Sequence, residues 1–184
     1  VNPSPDSWVF DAGPMRHFAL QGWLGALKFL ATGRDVYIPD TVERELLNAV
    51  ADRPLLRGVL DAEWITVFRT TDIDYQGHFA RFYDRLVVDG KNLGECGVLA
   101  MGAAYGCEMV IDDNVPRTIA EELGLSVTAT VPLLCSGIRA SQLTTVMVES
   151  LADDLLSGDY YLPFEKGGFR NHVLEHGLLD YEEL

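Results

Sequence analysis

Five acidic residues at four places in this chain are of the type and setting that can hold a divalent cation. Asp112 and Asp113 directly follow the apolar run Met109–Ile111 and precede Pro116 and Arg117. Asp11 closes the apolar stretch Trp8-Val9-Phe10, and Glu45 and Glu95 stand among apolar residues. Carboxylates brought into one crevice repel one another unless a cation holds them. An all-oxygen donor set selects Mg2+ or Mn2+. Such an ion activates water and stabilises charge on a phosphoryl group, which is phosphodiester-cleaving chemistry. Each place also has an ordinary reading. Asp11, Asp113 and Asn114 suit helix caps, Glu95 suits a first helical turn, and Glu45 suits an edge pair with an arginine. Of the adjacent pair, Asp112 at the strand end is the expected ligand, and Asp113 keeps the capping role or orients a ligand.

The elements that must position these acids alternate between short buried strands and helices. Trp8–Phe10 reads as a first strand, followed by an apolar helix from Gly13 to about Ala31. A helix apolar almost all round is either sandwiched or part of a subunit interface, so a homodimer is expected. Val36–Pro39 is a second strand. A helix over 42–51 carries Val42, Leu46, Ala49 and Val50 as its stripe, with Glu45 about 60° from Val42 on the same arc. A short helix over 53–62 and a strand over 64–68 come next. Asp72 and Asp74 read as a cap and its neighbour for a helix reaching about Val87, rather than as metal ligands.

Leu93-Gly94-Glu95 opens a helix to about Tyr105 that is rich in small residues, which let another backbone come close. Glu95 shares a face with Val98, Leu99 and Gly102. A strand over 107–111 and a helix over 116–123 flank the Asp112-Asp113 pair. Leu125–Val127 is a short strand, and Thr130 reads as the cap of a helix begun near Pro132. Helices over 142–156 and 169–176 end the chain, separated by an irregular aromatic segment. This alternation predicts a three-layer α/β/α domain around a mostly parallel sheet, with C-terminal helices. The expected division is 7–138 for the main domain and 139–184 for a helical extension of it. Asp11 at the carboxyl end of a first strand lies where open α/β folds build their sites.

Composition sets outer limits. With 184 residues, 48% hydrophobic and 23% charged, the chain suits one soluble domain. Its apolar runs are too short to span a bilayer, and its first residues carry no signal pattern. Cys96, Cys107 and Cys135 lack C-x-x-C spacing, which argues for a reducing compartment; a cytoplasmic setting is expected. The net charge of −14 disfavours a broad nucleic-acid-coating surface and fits a basic partner. His17, His78, His172 and His176 follow no ligand pattern. Neither a G-x-x-x-x-G-K-[ST] loop, nor G-x-G-x-x-G, nor a G-x-S-x-G elbow occurs.

Four stretches, in order, resemble the PIN-domain ribonucleases, in particular the branch with a short C-terminal helical extension. They are Val9-Phe10-Asp11-Ala12-Gly13-Pro14, Pro39-x-x-Val42-x-x-Glu45-Leu46, Leu93-Gly94-Glu95, and Ile111-Asp112-Asp113-x-x-x-Arg117-x-x-Ala120-x-x-Leu123-Gly124-Leu125. The resemblance covers about Trp8 to Val131, and more weakly the rest to Gly177. Related members often carry a second acid shortly after the Leu-Gly-Glu equivalent, where this chain has Gly97. The resemblance implies a Mg2+- or Mn2+-dependent endoribonuclease, often the toxin of a toxin–antitoxin pair, with RNA as substrate and an antitoxin protein as partner. The expected catalytic and metal-binding residues are Asp11, Glu45, Glu95 and Asp112, with Asp113 as a further ligand. Arg117 and Lys91 are expected to bind the substrate phosphate, Arg117 having a pair with Glu121 as its alternative.

Two other readings compete. A haloacid-phosphatase-like site needs a second acid two residues after Asp11, where Gly13 stands, and a receiver domain needs its acidic pair early. A catalytically weak PIN-like binding or assembly module would keep the fold without the chemistry.

Overall fold

A three-residue strand, β1 (Trp8–Phe10), is the axis of the structure, a computed structural model that describes residues 2–184. Its neighbours are β2 (Val36–Pro39) on one side and β4 (Glu108–Val110) on the other. The edges are β3 (Ile65–Phe68) and β5 (Val127–Thr128), giving the order β3-β2-β1-β4-β5 with every pairing parallel. A parallel sheet is covered by helices on both faces, so its strands read as continuous apolar runs. β1 and β2 are accordingly buried at every residue.

The covering helices are α1 (Ala12–Leu20), α2 (Leu24–Leu30), α3 (Asp40–Ala49), α4 (Arg57–Leu60), α5 (Ile73–Leu86), α6 (Leu93–Tyr105), α7 (Asn114–Glu122), α8 (Thr130–Arg139), α9 (Thr145–Ser157) and α10 (Phe169–Glu175). Together they make the three-layer α/β/α arrangement expected from the alternation of elements. α6 lies across β2, β1 and β4, and its small residues permit this. A methyl group at Gly102 would lie 2.4 Å from Met109 Sδ on β4, and one at Gly97 would lie 2.9 Å from Pro39 Cβ on β2.

Two expectations are corrected here. The single helix over 13–31 is two helices. Gly22, at φ +77, ends α1 in the left-handed conformation that glycine adopts most easily. Phe18, Leu27 and Leu30 are buried within the chain, while Phe29 on α2 stands 51% exposed. Thr130 does not cap α8. Ala129 holds the cap position, and the Thr130 side chain is engaged elsewhere. Asp72 does cap α5, accepting from the Asp74 backbone N–H at 2.9 Å. Among the described residues no helix is long and apolar enough to cross a membrane. All three cysteines are buried and free.

Candidate metal centre

The order of strands reverses about β1, because β2 lies to one side of it and β4 to the other. The crevice beyond the carboxyl ends of two such strands is where open α/β sheets place ligands. β1 and β4 are in register, Phe10 against Val110, and the Asp11 N–H continues the ladder to Val110 O at 3.1 Å. Asp11 therefore stands level with the chain that leads into Asp112 and Asp113. The first turn of α6 arrives over the same crevice and brings Glu95.

Asp11, Glu95 and Asp113 each present a carboxylate oxygen within 4.8 Å of the others. Asp11 is buried at 5% exposure, and its Oδ1 has no hydrogen-bond partner among the described residues. Asp11 and Asp113 occupy the cap positions of α1 and α7, yet neither side chain makes a cap hydrogen bond. Capping thus does not account for either carboxylate. Burial, and then the charges of Glu95, Glu45 and Asp113, push the Asp11 carboxyl up to about 8, against the pull of the Ala12 backbone N–H. Burial and the Glu45 and Asp113 charges raise Glu95 too. A buried oxygen without a partner, among neighbours of its own sign, fits a divalent cation held by oxygen donors. Gly94 keeps this space open, since a methyl group there would lie 3.2 Å from Glu45 Oε2 and 3.5 Å from Asp11 Oδ1.

Glu45 reaches the rim of the centre from α3 and pairs with Arg16 of α1. It lines a cleft of about 390 Å3 with Thr41, Lys91, Asn92, Gly94 and Glu95. Lys91 stands exposed on that cleft. Arg117 is more committed. It donates to Asp112 O at 3.1 Å and to Asn114 Oδ1 at 2.5 Å, and its Nε stands 3.9 Å from Glu121.

The adjacent pair is arranged opposite to expectation. Asp113, not Asp112, joins Asp11 and Glu95. The Thr130 backbone N–H donates to Asp112 Oδ1 at 2.7 Å, and the Thr130 hydroxyl donates to Oδ2 at 2.6 Å. The Tyr160 phenol also donates to Oδ2. Successive side chains of an extended segment point to opposite sides, so two neighbours cannot both face Asp11.

Sequence reasoning gave Arg16, His17, Thr130 and Tyr160 no role at the site. The His17 ring stacks on Tyr160 with centroids 4.3 Å apart. Burial, then Arg16 and Arg53, lower its basicity, so a neutral imidazole packs there at pH 7. Burial and the Asp112 charge hold the Tyr160 phenol in its protonated, donating form. No spacing marks these residues, because the contact from Tyr160 to Asp112 spans 48 positions. The position where relatives can carry another acid is filled differently here. A methyl at Gly97 would lie 2.4 Å from Thr41 Oγ1 and 2.9 Å from Pro39 Cβ. Gly97→Ala is therefore expected to cost about 1–3 kcal/mol through overpacking of α6 on β2. Urea denaturation would measure it, and an unchanged midpoint would contradict this packing.

These features define an α/β/α domain with a carboxylate centre at its topological switch point, compatible with a divalent ion. A family model described as a PIN domain matches residues 7–165, and the chain belongs to the PIN-domain family, whose members are generally nucleases. No curated protein and no solved structure gives a significant match to it.

Proposed function

We propose that the protein is a metal-dependent endoribonuclease that hydrolyses RNA phosphodiesters at the Asp11–Glu95–Asp113 centre. The observation that carries this reading is the buried Asp11 carboxylate, unpartnered at Oδ1 and within reach of two further carboxylates. Asp11, Glu95 and Asp113 would hold Mg2+ or Mn2+. When bound, the ion supplies positive charge to the phosphoryl oxygens and lowers the pKa of the attacking water.

The chain's own groups do the rest. Glu45 faces the cleft and is steadied by Arg16, which places it to receive a proton from the attacking water. Lys91, exposed on the same cleft that Arg44 also lines, attracts the phosphate backbone. Arg117 fixes the start of α7 through Asp112 O and Asn114, and leaves part of its charge facing the neighbouring cavity. Asp112 is a positioning residue that ties the β4–α7 turn to Thr130 and Tyr160. A toxin role, with a basic antitoxin as partner, extends this proposal on the family resemblance and the charge of −14.

The test is cleavage of an end-labelled mixed RNA pool. Fragments are expected with Mg2+ or Mn2+, none in EDTA, and recovery when the ion is returned in excess. Equal cleavage in EDTA would sink the metal mechanism. No cleavage with either ion, together with a melting temperature that ignores millimolar Mn2+, would instead favour a binding or assembly module.

A further inference from the structure

Asp112 also borders a second cavity, of about 460 Å3, between α7, β5, α8 and the chain beyond α9. Asn114 lines both this cavity and the cleft that holds Glu95 and Asp113, so the two spaces meet at the start of α7. The cavity has an aliphatic side, Val131, Leu162 and Leu178, and a polar side, Asn114, Arg117, His172, Glu121 and Asp112, the last with both carboxylate oxygens taken up by Thr130 and Tyr160. Its volume falls in the range of small-ligand sites.

Tyr161 stands at this cavity with its large aromatic surface 82% exposed. Its backbone is not free. Tyr160 before it is anchored on Asp112 and His17, and Leu162 after it is buried. Alternation along this stretch turns Tyr161 outward beside the cavity while both neighbours hold it in place. An exposed aromatic ring on an anchored backbone, next to a guanidinium and hydrogen-bonding groups, suits an unpaired base and its phosphate.

We infer that this cavity is a nucleotide subsite for single-stranded RNA, with Tyr161 stacking on a base that flanks the cleaved bond and Arg117 facing its phosphate. The inference rests on the nuclease reading above, for it places an RNA strand across α7 from one space to the other. A base already stacked in a duplex cannot use Tyr161, so the subsite selects unpaired RNA.

The test is fluorescence anisotropy of a labelled single-stranded RNA octamer, and of the same octamer in a duplex, with Ca2+ as the ion. Tyr161→Ala is expected to weaken single-strand binding by about 10- to 100-fold, the scale of one base–aromatic stack. Tyr161→Phe and Tyr161→Trp should restore it, and the melting shift of Tyr161→Ala with Mn2+ should match that of wild type. Under cleavage conditions the loss should appear in KM, with kcat nearly unchanged. Unchanged binding by Tyr161→Ala, equal loss in Tyr161→Phe, or duplex binding as tight as single-strand binding would each overturn the subsite. Cleavage that ignores Tyr161 would remove the subsite and leave the nuclease. Tyr161-dependent binding without cleavage in Mg2+ or Mn2+ would remove the nuclease and leave the subsite.

Discussion

Asp11→Asn is expected to make the metal-free protein more stable at pH 8, to abolish its response to Mn2+, and to lower metal-dependent cleavage by about 10³-fold or more. The stability effect follows from the proton. Asp11 titrates near its ordinary 3.8 when unfolded and at about 8 when folded without metal. Between those values the folded state binds a proton that the unfolded state has released. Stability therefore falls as pH rises across this window, with a slope approaching about 1.4 kcal/mol per pH unit for a single group. The contribution is complete below the lower value and lost through the upper one. Glu95, raised in the same direction, adds to the slope.

An ion that replaces the proton removes the penalty, so metal affinity should climb as pH rises toward 8. At a hundred times its dissociation constant such an ion adds about 2.7 kcal/mol. Asparagine keeps the shape and carries no charge to desolvate. Melting curves in EDTA at pH 5 and pH 8, repeated with Mn2+, would read all of this. A variant less stable than wild type at pH 8 in EDTA, or one still shifted by Mn2+, would disprove the account.

The second large effect separates two neighbours. Asp113→Asn should leave stability in EDTA within about 0.5 kcal/mol of wild type, because Asp113 is exposed and asparagine serves equally well at a helix start. It should nevertheless remove most of the Mn2+ shift and most of the cleavage. Asp112→Asn should behave in the opposite way. Both carboxylate oxygens of Asp112 accept hydrogen bonds, one from the Thr130 N–H and one shared by the Thr130 and Tyr160 hydroxyls. An amide turns a donor toward at least one of those donors, at a cost of about 2–3 kcal/mol for charge-assisted bonds lost in a partly buried site. The Mn2+ shift should survive. Denaturant curves and metal titrations of the two variants give four numbers, and the reverse pattern would return the ligand role to Asp112.

That pair also marks the limit of what the residues reveal unaided. Asp11, Glu45 and Glu95 could be placed near one crevice because each sits at a strand end or on an inward helical edge, features that local periodicity carries. Choosing between Asp112 and Asp113 depends on parity: which of two adjacent side chains faces the neighbouring strand. Parity is fixed by the register of β4 against β1, a pairing between positions about a hundred residues apart. The Tyr160 and Thr130 contacts on Asp112 are long-range in the same sense and belong to no motif.

The layered fold was legible because buried parallel strands are apolar throughout and helices follow them in turn. The break at Gly22 was not. A lone glycine inside an apolar stretch reads as a tolerated helical residue, and only packing decides that it takes a positive φ.

The central place of β1 also has a consequence in time. Asp11 leaves the ribosome about a hundred residues before Asp113, and Tyr160 follows later still. At roughly 5–20 residues per second this is a delay of several seconds or more. Until β4 slots in beside β1, the nascent chain has no gathered carboxylates. The topology thus keeps the centre unassembled until β4 and the turn after it have been made.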